Sequence, residues 1–277
     1  MESLFNVNGL MFWTEREIRL RRQFEDHFTF TVQQILLETN PAWRMIQVEA
    51  PLLTPWENIN PNYTHEDIWA QESELDLWES RTAINSECTQ EEIELAEAAL
   101  AEGPPEGYND LVLRPETTPG SYVYACHLLN THSGIKPPFV IWQTGKSFRR
   151  EQEQVTKNMR LKEFYQQEFQ CIYTAETMND YHAAVLEPVR KMLGEMINLP
   201  TRIVESDRLP TYSEVTMDVE VDNGDKWMEI CSISRRTDFP QKAKFTTKKG
   251  VVEKELKVLE IAIGLDRCVY NFNQKES

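Results

Sequence analysis

Cysteine is scarce in this chain and never falls in a closely spaced pair. The five present, Cys88, Cys126, Cys171, Cys231 and Cys268, form no CxxC. An odd set without such spacing excludes a disulfide framework and suits buried thiols in a reducing cytosol. Glycine numbers only ten, and neither GxGxxG nor GxxxxGK[ST] occurs, so neither a Rossmann nor a P-loop nucleotide site is supported. Apolar runs long enough to span a membrane are lacking. The start, MESLFNVNGLMFWTERE, has no basic stretch followed by an apolar one, so no signal peptide is expected. Basic residues are outnumbered, 29 Lys and Arg against 45 Asp and Glu, for a net charge of −16. That balance argues against wholesale electrostatic binding of nucleic acid. Two local basic runs remain, Arg16 to Arg22 and Lys242 to Lys257, and solvated surface is the default reading of both. The expectation is a soluble, cytoplasmic protein.

At 277 residues the chain can bury a substantial core, and a single domain over 1–277 is expected. Thr14 to Glu38 reads as a long amphipathic helix opened by a capping box of Thr14 and Glu17. The strand Trp43 to Ala50 follows, closed by Pro51 as an edge strand would be. Residues 65–107 are dense in acidic side chains, with Arg81 the one base. This segment is expected to be an acidic, partly helical insertion. After the strand Leu111 to Leu113 comes the loop Arg114 to Gly120 and a helix, Ser121 to Leu129. A helix over Thr174 to Leu199 is expected to kink or break at Pro188. Val215 to Val221 and Trp227 to Ser234 alternate as strands about the turn Asn223-Gly224, and a last strand, Lys257 to Ile263, runs into a short terminal helix. Strands in antiparallel groups predict an α+β fold, an antiparallel β-sheet flanked by helices.

The chemistry concentrates between Val140 and Tyr173. Two strands are joined through FRRE (148–151) and a polar connection to Arg160 and Phe164, which predicts an antiparallel hairpin. Phe164 and Glu168 stand at even spacing, hence on one face. An arginine able to grip phosphate, a carboxylate and an aromatic plate could together hold a nucleotide. A solvated edge hairpin is the plain alternative for this stretch taken alone.

Three signatures, in order, resemble the catalytic core of the class II aminoacyl-tRNA synthetases: WRMIQVEAPLL closed by Pro51, FRRE followed by Arg160-x-x-x-Phe164, and Gly264-Leu-Asp-Arg267. Within that class the chain is most similar to glycyl-tRNA synthetase. LRPETTPG (113–120) resembles LRPETAQG, MDVE (217–220) resembles WDAE, and WMEICSISRRTDF (227–239) resembles the strand and turn before the third signature. The resemblance implies an ATP-dependent ligase that activates a small amino acid, glycine first, and passes it to tRNA through the acceptor stem, or to another acceptor such as a carrier protein. It implies ATP and Mg²⁺ as cofactors and a homodimer, with no membrane partner. Arg149 and Arg267 would be catalytic. Arg149, Arg150, Glu151, Arg160, Phe164, Glu229 and Arg267 would hold ATP, with Glu229 on Mg²⁺. Arg114, Glu116, Glu168, Glu260 and Ala262 would form the amino-acid pocket. Thr118 replaces the zinc cysteine of threonyl enzymes and Gln170 stands near the histidine position, so no zinc is expected. The glycyl enzymes carry Pro-Ser after the glutamate matching Glu260, where this chain has Ile261-Ala262. The sequence ends about ten residues after Arg267, so the resemblance covers a core without an anticodon-binding domain. A catalytically inactive, synthetase-like accessory protein is the alternative.

Overall fold

The computed structural model describes residues 5–7, 9–64, 66–69, 82–83, 88–102, 111–131, 135–150, 159–176, 180–207, 211–247 and 250–275. A short hairpin, β1 (Phe5–Val7) and β2 (Leu10–Phe12), precedes α1 (Glu15–Thr39). The expected capping box is present, with Glu17 accepting from the backbone N–H and hydroxyl of Thr14. Phe24, Phe28, Val32, Ile35 and Leu36 form the buried stripe of α1, an apolar face wide enough to seat the helix on a sheet.

That sheet has seven strands in the order β3-β6-β7-β13-β10-β9-β8. They are β3 (Arg44–Gln47), β6 (Phe139–Phe148), β7 (Glu163–Thr174), β8 (Thr201–Glu205), β9 (Ser213–Asp222), β10 (Trp227–Arg236) and β13 (Leu256–Gly264). All neighbours are antiparallel except β3 and β6. Two smaller ribbons pair β4 (Leu53–Pro55) with β5 (Leu111–Leu113), and β11 (Ala243–Thr247) with β12 (Gly250–Lys254). The remaining helices are α2 (Gln90–Glu102), α3 (Thr118–Thr131), α4 (Tyr181–Ile197) and α5 (Leu265–Lys275). The main core lies between the sheet and α1, α4 and α5; Phe28, Phe169, Val185, Leu193, Val219, Ile261 and Val269 are all fully buried in it. This is the expected α+β class.

Several boundaries differ from the sequence reading. The hairpin β6–β7 is central, flanked by β3 and β13, not an exposed edge. Strand β3 is shorter than expected. Helix α4 starts at Tyr181, not Thr174, because β7 continues to Thr174 and pairs it with Leu256. Its cap is Asp180, which accepts from Ala183 N at 3.2 Å. The helix is continuous through Pro188; the buried face of Tyr181, Val185, Val189, Leu193 and Ile197 outweighs the one backbone donor that proline removes. Helix α3 starts at Thr118, three residues before the expected Ser121. Much of 65–107 lies outside the described residues; α2 within it is exposed apart from Ala96 and a few half-buried positions.

Candidate active site

The sheet alternation selects what faces the site. On β7 the even positions Phe164, Gln166 and Glu168 line one cavity of about 650 Å³; Asp218 and Glu220 of β9 and Ser232 and Ser234 of β10 line it too. Arg149, Arg150, Arg160, Glu116, Glu229, Glu260, Ala262 and Arg267 complete the set expected from the sequence. Glu151 lies outside the described residues. Among the described residues, one expected residue is not among the lining groups. Arg114 is only 2% exposed and its guanidinium is spent on structure: Nε donates to Lys146 O at 2.9 Å, and Nη1 donates to Ala50 O at 2.9 Å and Gln143 Oε1 at 3.2 Å. It fastens the loop before α3 to β6 and to the end of the β3 segment, which corrects its expected place in the amino-acid pocket. A cation buried this way needs strong acceptors, and four oxygens, those three and Pro51 O at 3.4 Å, supply them.

At one end of the cavity the cations lean on groups of the site itself. The Arg149 guanidinium is half-buried, 5.2 Å from the centre of the Phe164 ring and 5.6 Å from that of Tyr63. Its Nε donates to Pro115 O at 3.1 Å. Arg267 Nη1 donates to Glu229 O at 2.9 Å and lies 3.2 Å from the Glu229 carboxylate. Behind it Asp266 accepts from Tyr165 N at 2.5 Å. Burial pushes the Asp266 carboxyl up to about 7, against that bond.

The other end is a carboxylate pocket with a resident cation. Arg236 is 1% exposed. Its Nη1 donates to Glu260 Oε2 at 2.7 Å, and Nη2 donates to Asp238 at 2.7 Å and stands 3.8 Å from Glu116. Burial works against this charge, but Glu260, Tyr122, Asp238 and Glu116 outweigh it, so the guanidinium stays ionised. Thr118 Oγ1 and Gln170 Nε2 also donate to Glu260 Oε2, at 3.1 and 2.7 Å. Glu168 accepts from Thr117 at 2.5 Å and lies 3.0 Å from the Thr118 hydroxyl, whose one proton serves either Glu168 or Glu260. Burial, then repulsion from Glu260 and Glu116, pushes the Glu168 carboxyl up to about 7. Burial also raises Glu116, more than Arg236 lowers it. Arg236 was missed in the sequence, although strand period had placed it: Ser232, Ser234 and Arg236 share a face of β10, while Arg235 points away to Glu214 at 2.8 Å. Tyr63 and Tyr212, both lining the cavity, carried no signal, since they sit in irregular loops.

Mg²⁺ takes hard oxygen ligands and shares them with nucleotide phosphates. Glu229 is exposed on the cavity wall, directly across from Glu220 in the β9–β10 register. Glu220 is already held by Arg202 at 2.7 Å. Among the described residues no group of three or more His, Cys, Asp or Glu could hold a metal. The donors therefore fit an ion bound by the Glu229 carboxylate together with phosphate oxygens, not a closed protein cage.

Residues 102–273 match the tRNA synthetase class II core domain (G, H, P, S and T). The chain is 34% identical over 134 residues to a glycine–tRNA ligase of Mycolicibacterium paratuberculosis, covering 46% of this chain and 29% of that protein. It is 31% identical over 175 residues to a glycine–tRNA ligase of Mycoplasmopsis synoviae, covering 57% and 38%. The chain thus spans about a third of the length of these relatives. In fold it is similar to a prolyl-tRNA synthetase from Cryptosporidium parvum crystallised with halofuginone and AMPPNP, with a TM-score of 0.64 and 11% identity over 98% of this chain and 48% of that one. The matched span holds the β6–β7 hairpin, both ends of the cavity and the Arg267 turn, and on that basis the chain belongs to the class II tRNA synthetase core family.

Proposed function

We propose that this core activates a small amino acid, glycine first, with ATP, and transfers it from the aminoacyl-adenylate to tRNA or to another acceptor such as a carrier. The observation that carries the reading is one cavity lined by cations, an aromatic plate and a cluster of carboxylates. The substrate carboxylate attacks the α-phosphorus; its oxygen forms the new P–O bond, and the bond to the bridging oxygen breaks as pyrophosphate leaves with the electron pair. The nucleophile is already ionised, so positioning and charge neutralisation carry the rate. Arg149 would grip the α-phosphate, Phe164 and Arg267 would stack on adenine, and Arg150, Glu151 and Arg160 would border the nucleotide. Glu229 would hold Mg²⁺, which supplies charge neutralisation at the phosphates when bound. Glu116, Glu168 and Glu260 would receive the ammonium, with Ala262 beside them. The whole is read as a single domain that works as a homodimer.

The test is amino-acid-dependent ATP–pyrophosphate exchange over all twenty substrates, in the wild type and in Arg149→Ala. Exchange with glycine or another small amino acid is expected, reduced at least about a hundredfold in the variant, whose melting temperature stays within a few degrees of the wild type. Strongest exchange with a bulky substrate removes the pocket assignment, and none with any substrate selects the inactive accessory protein.

A further inference from the structure

The amino-acid pocket has one wall that the carboxylates and Arg236 do not account for. Glu260 is held through its Oε2, on which Arg236, Thr118 and Gln170 converge. An incoming ammonium meets Glu116 and Glu168 beside it, all three carboxylates lining the cavity. Glu116 is 5% exposed, and its Oε1 accepts no hydrogen bond among the described residues. Its Oε2 accepts from the Tyr63 hydroxyl at 3.3 Å. Oε1 faces the Arg236 guanidinium, 3.8 Å from Nη2, so Tyr63 on one oxygen and Arg236 on the other fix how this carboxylate stands at the cavity wall.

Tyr63 is itself well placed to serve as a wall. Its ring packs on the cluster of Ile59, Ile68 and Val112, and the Arg149 guanidinium lies 5.6 Å from its centre. The preceding Asn62 accepts from Thr211 at 2.7 Å, next to Tyr212, whose ring lies 3.9 Å from the Arg236 guanidinium. The segment is also tied to the nucleotide end: Trp69 Nε1 donates to Arg149 O at 3.2 Å, and Arg150 N donates to Asp67 O at 2.9 Å.

We propose that Tyr63 is a positioning and specificity-determining residue of the amino-acid pocket. Its hydroxyl orients Glu116 toward the substrate ammonium, and its ring bounds the space open to the substrate side chain. The inference rests on the activity proposed above and adds a residue to that site.

The experiment is steady-state pyrophosphate exchange with glycine, alanine and serine for the wild type, Tyr63→Phe and Tyr63→Ala, with circular dichroism to confirm folding. Tyr63→Phe keeps the ring and loses the donor. It is expected to raise the amino-acid KM about three- to tenfold, leaving kcat and the ATP KM within about twofold. Tyr63→Ala opens the wall and is expected to raise kcat/KM for alanine relative to glycine about tenfold. If Tyr63→Phe leaves the amino-acid KM unchanged, or moves the ATP KM equally, the proposal is overturned while the activity reading stands. If Tyr63→Ala does not fold, Tyr63→Phe decides alone. If the wild type exchanges no amino acid, the activity reading fails and this inference with it.

Discussion

Glu168 shows how one carboxyl can work against the stability of the site it serves. It is 2% exposed and its pKa rises from 4.5 to about 7, through burial first and then Glu260 and Glu116; Thr117 and Arg236 pull the other way. The folded state therefore binds a proton that the unfolded chain releases, so stability falls as pH rises from about 4.5 to about 7. The contribution is on the order of a few kcal/mol. Glu168→Gln should flatten this part of the profile, measured as the difference between variant and wild type in urea unfolding from pH 5 to pH 8. The difference is needed because Asp266, at about 7, and Asp218, raised by burial to about 6, slope the same way. A variant profile parallel to the wild type would place the proton elsewhere. Glu168 and Phe164 were legible in the sequence because strand period alone puts them on one face. Arg114 was not read correctly: a motif match identifies the residue but does not say whether its charge faces the cavity or the backbone carbonyls behind it.

The hairpin of β6 and β7 is the element on which both ends of the cavity depend, and its position beside the loop before α3 rests on a glycine. A Cβ added at Gly145 would lie 2.0 Å from Arg114 Nη2. Gly145→Ala should displace that guanidinium from Ala50 O, Lys146 O and Gln143, at a cost of about 3 kcal/mol. The measurement is the midpoint of urea denaturation, and an unchanged midpoint would mean that the clamp carries little. The hairpin, α1 with its capping box and the β9–β10 turn were legible because local spacing determines them. The start of α4 was not, because the competitor that extends β7 to Thr174 is Leu256, more than eighty positions away and invisible to any local pattern. The continuity of α4 through Pro188 has the same origin, a buried face formed by distant strands.

At the scale of the whole molecule, β3 ends the seven-stranded sheet with one side unpaired among the described strands. Exposed Leu52 and Leu53 follow it in sequence, with exposed Leu111 on the strand paired to β4. Val123 and Tyr124 are also exposed on α3, whose Gly120 abuts Ala50. An open strand beside apolar side chains calls for a covering partner. A symmetric dimer is the expected state, with a light-scattering mass twice the 32.5 kDa of the chain; a mass of one chain at micromolar concentration would remove that expectation.

The described lysines of the run from Lys242 to Lys257 are each matched with an acidic side chain. Lys242 meets Glu255, Lys244 meets Glu253, Lys254 meets Glu176 and Lys257 meets Glu214. On α1, Arg19 and Arg21 are likewise matched with Glu15 and Glu25. Across the whole sequence the acidic groups exceed the basic ones by sixteen. A polyanion arriving from solution is thus expected to meet net repulsion at long range before any local contact forms. Mobile ions, which loosen most complexes with nucleic acid, here first lower the hill that the partner has to climb.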